Sequence, residues 1–218
     1  MIKPSTYAAA DTLIARYPAL ESCAADIRAA IAALCACYRA GGKLIVCGNG
    51  GSAADAEHIV GELMKGFLKP RRLSSAMGEK LRAAFPETGA YLYENLQGTL
   101  PAVSLVDAVA LNTAFANDQA PDLTMAQQVL GLGQAGDALL GISTSGNSAN
   151  VLYATQVARV QGLTAIALTG ESGGKLKDIA DITIRVPARE TFKIQEYHLP
   201  VYHALCIAAE EEFFGREG

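Results

Sequence analysis

The sequence predicts a doubly wound α/β fold: a five-stranded, mainly parallel sheet flanked by helices, with further helices at the N-terminal end. Three observations carry this. Short, continuously apolar runs recur along the chain, as expected of strands buried on both faces. Helical stretches separate them, and strands alternating with helices at this spacing imply parallel pairing. Two polar turns, at 48–52 and 143–148, fall beyond the carboxyl ends of such strands, where sheets of this kind bind ligands.

In chain order, residues 6–40 read as two helices. Ile27-Arg28-Ala29-Ala30-Ile31-Ala32-Ala33-Leu34 has large apolar residues at helical spacing in an alanine-rich, helix-favouring context. Gly41-Gly42 ends the second helix. Leu44-Ile45-Val46-Cys47 is the first strand, broken by Gly48-Asn49-Gly50-Gly51-Ser52 and followed by a helix from about Ala53 to Phe67. Residues 68–100 are less regular: Lys69-Pro70-Arg71-Arg72 opens a polar stretch, and a helix is expected within Leu81 through Leu96. That stretch is too short for a core of its own and reads as an insertion. Ala102-Val103-Ser104-Leu105 is the second strand, and Ala138-Leu139-Leu140-Gly141-Ile142 the third, with a helix from Ser148 to Gln161. Leu163 through Leu168 forms the fourth strand, ending at Thr169-Gly170. Ile182-Thr183-Ile184-Arg185-Val186 forms the fifth, closed by Pro187, and a last helix covers most of 191–214. The expected organisation is one domain over 41–218, with the helices of 1–40 lying on it or on a neighbouring subunit.

At 218 residues, half of them apolar, the chain can fill one core without disulfide or metal staples. No apolar run approaches the ~20 residues of a membrane span, and Met1-Ile2-Lys3-Pro4 begins no apolar signal segment. The five cysteines (Cys23, Cys35, Cys37, Cys47, Cys206) lack zinc-ribbon or thioredoxin spacing and read as reduced core residues of a cytoplasmic protein. The formal charge of −4, with no basic stripe, argues against a nucleic-acid surface. It does not exclude an anionic substrate, because backbone N–H groups and hydroxyls can bind phosphate.

Both turns suit that task. Gly48-Asn49-Gly50-Gly51-Ser52 lets successive N–H groups converge on an anion at the positive end of a helix. It lacks both the last glycine of a dinucleotide fingerprint and the Gly-Lys-Ser/Thr of an NTPase loop, which disfavours a nucleotide. Ser143-Thr144-Ser145-Gly146-Asn147-Ser148 places four hydroxyls within six positions, enough for most acceptors of a phosphate monoester; Ser148 is also a candidate helix N-cap. One cap plus solvated turn residues would explain one or two of these hydroxyls, but not all four.

The three histidines lie in two groups. His58 and Glu62, four apart, share a helix face, where an ordinary ion pair is worth a few tenths of a kcal/mol. Gln195, Glu196, His198 and His203 fall on the last helix, and both histidines stay within about 80° of Gln195 at ~100° per residue. Spacing does not choose between them. Imidazole, carboxylate and amide oxygen together suit a divalent metal such as zinc.

The two turns, in this order and context, resemble the sugar isomerase (SIS) domain family, in the phosphoheptose isomerase branch, over nearly the whole chain apart from 68–100. The resemblance implies that Ser52, Ser143, Thr144, Ser145 and Ser148 hold a substrate phosphate, with Gly50 and Gly51 in the first turn and Asn49 on the sugar. It implies one zinc ion per subunit, held by His58, Glu62, Gln195 and His203, with Glu62 as general base and His203 as general acid. Gln195 would also meet substrate, and His198 becomes a helix neighbour. Asn117-Asp118 resembles a sugar-contacting signature, though an ordinary turn between helices fits it equally. The implied reaction is aldose–ketose isomerisation of a phosphorylated sugar, most simply sedoheptulose 7-phosphate to D-glycero-D-manno-heptose 7-phosphate, through an enediol. The implied setting is a homotetramer with sites at subunit interfaces, in heptose synthesis for lipopolysaccharide or capsule, with neither membrane nor nucleic acid as partner. An isomerase of another sugar phosphate, or a non-catalytic SIS protein that senses sugar phosphate or binds a partner, is the alternative. The chain departs from familiar members in Thr191-Phe192-Lys193-Ile194, where these often carry Asp-Arg-Ile, in Pro200 within the last helix, and in the long 68–100 segment, whose Arg71 or Arg72 is expected to reach substrate.

Overall fold

The computed structural model describes residues 2–215; the last three residues expected in the 41–218 domain, and Met1, lie outside them. Two N-terminal helices, α1 (Ala8–Arg16) and α2 (Ala24–Arg39), precede strand β1 (Leu44–Gly48) and helix α3 (Gly51–Met64). Then come α4 (Ser75–Ala84), α5 (Gly89–Asn95), β2 (Ala102–Ser104), α6 (Val109–Asp118), α7 (Thr124–Leu132), β3 (Ala138–Ile142), α8 (Ala149–Val160), β4 (Thr164–Thr169), β5 (Ile182–Arg185) and α9 (Thr191–Phe214). The five strands form one sheet in the order β2-β1-β3-β4-β5, and every pairing is parallel. The expected sheet is thus present, wholly rather than mainly parallel.

Alternation along each strand serves two cores. Leu44 and Val46 of β1 face one core with Leu140, Ile142, Ile166 and Leu168; Ile27, Ile31, Ile59, Leu63, Val201 and Leu205 of α2, α3 and α9 cover them. Ile45, Cys47 and Leu139 face the other, under Val129 of α7 and Val151, Ala154 and Ala158 of α8. Each such fully buried Ile, Leu or Val stabilises by roughly 1.5–3 kcal/mol, which is why the strand runs are apolar without interruption. All five cysteines are buried and unpaired. Burial pushes the Cys47 and Cys206 thiols up to about 12, so both stay protonated, as core residues should.

Residues 68–100 form a helical hairpin of α4 on α5, closed at its base by an antiparallel bridge between Arg72 and Gln97. Of the two arginines expected here to reach substrate, Arg71 is committed to the core instead. It is 1% exposed, its Nε donates to Glu210 Oε1 at 2.8 Å, and its other nitrogens donate to the carbonyls of Leu63 and Glu62. Glu210, 139 residues away on α9, is the buried acceptor that a guanidinium in this place requires. Arg72 pairs with Gln97 through its backbone, and its side chain is exposed. Helix α9 runs unbroken through Pro200.

Candidate functional site

Adjacent parallel strands bring the two turns side by side: Gly48 at the end of β1 is in register with Ile142 at the end of β3. Gly50, at φ +57°, is the residue that caps α3, a conformation that suits glycine. Ser52 is 3% exposed in the first turn of that helix. Asn49 does not project freely. Its amide exchanges two hydrogen bonds with Asn150 at 2.9 and 2.8 Å, and Asn150 also accepts from the Val151 N–H, so the first turn is laced to the start of α8. Sequence reasoning missed Asn150; only a pairing across 101 residues gives it this place.

The second turn is equally fixed. Ser143 is 3% exposed, and its hydroxyl meets that of Ser148 at 3.0 Å. Ser148 does stand at the N-cap of α8, but its side chain caps no helix N–H, since it is engaged by Ser143 instead. Ser145 Oγ accepts from the Asn147 N–H at 3.1 Å. Gly146, at φ +67°, lies so close to the Gly173 carbonyl that no side chain fits, and the Gly146 carbonyl accepts from the Leu176 N–H at 3.0 Å. Thr144 and Ser145 open onto a cleft that also holds Asn147, Arg185 and Arg189.

A second cluster spans α3 and α9. His58 Nε2 lies 3.2 Å from Glu62 Oε1, and Lys65 donates to Glu62 Oε2 at 3.2 Å. The His58 and His203 rings are 5.1 Å apart, centre to centre and edge to face. His203 Nε2 is buried without a hydrogen-bond partner. Burial, and then the nearby His58, hold the His203 pKa below the ordinary histidine range, against the pull of Glu62, so its neutral form dominates at pH 7. Behind His58, Nδ1 meets the Tyr202 hydroxyl at 3.0 Å, and that hydroxyl donates to Asp55 Oδ1 at 3.2 Å. Neither Tyr202 nor Asp55 carries a sequence signal beyond its helical phase with a histidine. His203 also lines a groove of about 560 Å³ between α1 and α9, with Leu13, Tyr17, Glu196 and Leu199 among its walls.

The structure therefore brings His58, Glu62 and His203 together and leaves His198 in the core. The latter is fully buried on α9, with burial lowering its pKa to about 4. The amide of Gln195 rests on Gly51, so tightly that a Cβ at Gly51 would collide with it. It thus joins α9 to the first turn. Asn117 donates to Asp118 at 2.8 Å at the exposed end of α6, and among the described residues no hydrogen bond ties either to the turns. Nor is any group of three His, Cys, Asp or Glu side chains among the described residues arranged to hold a metal ion. None of the described helices is long and apolar enough to cross a membrane.

Comparison with known proteins agrees with this picture. The family model of the SIS domain matches residues 8–97 and 81–170. A phosphoheptose isomerase of Rhodospirillum rubrum is 40% identical over 192 residues, 88% of each chain. One of Nitratiruptor is 44% identical over 172 residues, 78% of each. Among solved structures, the phosphoheptose isomerase of Neisseria gonorrhoeae superposes with a TM-score of 0.72 at 34% identity, covering 93% of this chain and 94% of that one. That of Francisella tularensis gives 0.74 at 32%, covering 92% and 93%. With serine turns beyond the ends of a parallel sheet, a His–Glu–His cluster on helices α3 and α9, and this similarity along most of its length, the chain belongs to the SIS domain family, in the branch of the phosphoheptose isomerases.

Proposed function

We propose that the chain interconverts sedoheptulose 7-phosphate and D-glycero-D-manno-heptose 7-phosphate through an enediol, with Glu62 and His203 as the proton-transferring pair. The observation that carries the reading is that the ring of His58 touches both the Glu62 carboxylate on α3 and the ring of His203 on α9, whose Nε2 is unpartnered, α3 itself beginning at a phosphate-friendly turn.

Isomerisation moves a proton between the two carbons that exchange the carbonyl. Glu62 takes it from one and returns it to the other; Lys65, a surface partner, is easily displaced from the carboxylate as substrate enters. His203 handles the oxygens. Neutral at pH 7, it donates from its ring N–H to the carbonyl oxygen becoming hydroxyl and recovers a proton from the hydroxyl becoming carbonyl, a role a neutral imidazole can fill. Ser52, Ser143, Thr144, Ser145 and Ser148, with the N–H groups of Gly50 and Gly51, hold the phosphate and so fix which carbons face Glu62. Asn49, Gln195 and, from α6, Asn117 and Asp118 contact the sugar hydroxyls.

The donor types suit a zinc ion, one per subunit, although the described side chains are not gathered around one point: His203 Nε2 is buried and unpartnered, His58 Nε2 faces the Glu62 carboxylate, and the Gln195 amide oxygen would be a further donor. When bound, such an ion supplies positive charge to the enediolate oxygens.

We assign the active form as a homotetramer with sites at subunit interfaces, in the cytoplasm, serving heptose synthesis for lipopolysaccharide or capsule. Supporting this, α6 carries Val109, Leu111 and Phe115, yet none of its residues is buried, and Val109 is 68% exposed. Mass measurement in solution should return four chains. The deciding test of the reaction is a panel of phosphorylated seven- and six-carbon ketoses, assayed with and without chelator. Preference for the seven-carbon substrate, lost with chelator, is expected; turnover of a six-carbon sugar alone would overturn the reading.

A further inference from the structure

The ring of His58 is held from behind by two residues to which neither the turns nor the proton-transferring pair gives a role. Asp55 and His58 lie three apart on α3 and share a face. Tyr202 comes across from α9, 1% exposed, its ring 5.5 Å from that of His58 and 5.0 Å from that of His203. Its hydroxyl touches both other groups: Asp55 Oδ1 at 3.2 Å and His58 Nδ1 at 3.0 Å. A phenol has one hydrogen to give. Committed to the Asp55 carboxylate, which can only accept when ionised, it leaves the phenolic oxygen as an acceptor toward His58. The hydrogen between Tyr202 and His58 must then sit on Nδ1.

That choice fixes the other side of the ring. An imidazole with its hydrogen on Nδ1 carries its lone pair on Nε2, the nitrogen that faces Glu62 Oε1 at 3.2 Å. Glu62 alone favours the opposite arrangement, a hydrogen on Nε2 donated to the carboxylate. The two sides of the ring therefore compete, and the chain from Asp55 through Tyr202 tips the balance toward a bare Nε2. We infer that Tyr202 and Asp55 are positioning residues that set the tautomer and orientation of His58, making Nε2 its ligating atom. This rests on the reading of His58 as a metal ligand. It explains why a tyrosine stands where phenylalanine would fill the same space, with its hydroxyl aimed at two polar atoms.

The test reads tautomer and metal separately. In long-range 1H–15N spectra of the metal-free protein at pH 8, the three imidazoles are assignable by single His→Gln substitutions. His58 Nδ1 should be protonated in the wild type and bare in Tyr202→Phe. Zinc affinity, from competition with a chromophoric chelator, should fall roughly ten- to hundred-fold in the same variant, the usual loss on removing a partner of a ligating histidine. Asp55→Ala frees the tyrosine hydrogen to turn toward Nδ1 and should reproduce both changes, which covers the case of a Tyr202→Phe chain that does not fold. A wild-type His58 with a bare Nδ1, or a Tyr202→Phe protein that keeps both the protonated Nδ1 and wild-type zinc affinity, overturns the inference. A wild-type protein that takes up no zinc overturns the ligand role of His58 instead, and the spectra still decide the tautomer.

Discussion

Glu210 and Glu62 are both tied to Arg71, and the protein treats them in opposite ways. Glu210 is 0% exposed and accepts from the N–H groups of Phe67, Leu68 and Lys69 at 2.8, 2.7 and 3.0 Å, and from Arg71 Nε at 2.8 Å. Burial alone would raise its pKa; the Phe67 and Leu68 amides and the Arg71 guanidinium outweigh burial and hold it below the usual carboxylate range. Glu62 gives Arg71 only its backbone carbonyl. Its carboxylate is left with a histidine and a lysine, both side chains that can move away, and stays 13% exposed. A carboxylate saturated by fixed donors can only hold a structure together. One with movable partners can change them during a reaction. Burial by itself thus marks the wrong glutamate for chemistry.

The largest effect that tests this contrast is on activity. Glu62→Gln should lower kcat/KM by about 10²- to 10⁴-fold, the usual contribution of a positioned base. Substrate binding and the thermal midpoint should stay near wild type, and solvent deuterium should no longer enter the sugar. Exchange at the wild-type rate would remove Glu62 from the proton transfer. Glu210→Ala should do the reverse. It strands a buried guanidinium and three N–H groups, which costs about 3–5 kcal/mol in urea unfolding, while the folded fraction turns over substrate at close to the wild-type rate. Equal losses of activity in the two variants would dissolve the distinction.

A similar pair stands five residues apart on α9. His203 has a carboxylate and an imidazole beside it; His198 is fully buried, and neither of its ring nitrogens makes a well-formed hydrogen bond. Burial lowers the His198 pKa to about 4, against a slight opposing pull from the Thr169 backbone. The unfolded chain, with an ordinary histidine near 6.5, then binds the extra proton first. Stability contributed by the neutral buried ring is complete above about pH 6.5 and declines as pH falls toward 4, by at most about 3 kcal/mol. Urea midpoints at pH 8 and pH 5 should differ less in His198→Leu than in the wild type. An unchanged difference would mean that the ring is already solvated or charged.

What was legible in the sequence follows the range of the interactions involved. The strand runs could be read because burial on both faces demands apolar residues without interruption, as at Leu44–Cys47. The last helix could be read across Pro200 because its remaining positions favour it. His58 and Glu62 were visible as a pair because i, i+4 is a local relation. The strand order β2-β1-β3-β4-β5 was not, since no neighbour in sequence specifies a neighbour in the sheet. That Arg71, of the two arginines expected to reach substrate, is buried instead was hidden for the same reason: its partner, Glu210, is on another helix. Ser148 stands where a cap should, yet Ser143 claims its hydroxyl. Asn150, Asp55 and Tyr202 gain their places only when two helices or two loops meet.

The smallest effect gives the narrowest test of the opening contrast. Lys65, the residue just past the end of α3, reaches back to Glu62 three positions earlier, with 61% of its side chain exposed. Exposed pairs of this kind are worth about 0–1 kcal/mol, because water screens the charges and two long side chains must be ordered. Lys65→Ala should therefore change unfolding free energy by less than about 1 kcal/mol, and by less still at high salt. The same substitution probes whether Glu62 is free to change partners, since a movable lysine can leave without disturbing the helix. A loss above about 2 kcal/mol, insensitive to salt, would mean a fixed contact of the buried kind. Glu62 would then be bound as firmly as Glu210, and its freedom to take up a substrate proton would have to come from elsewhere in the site.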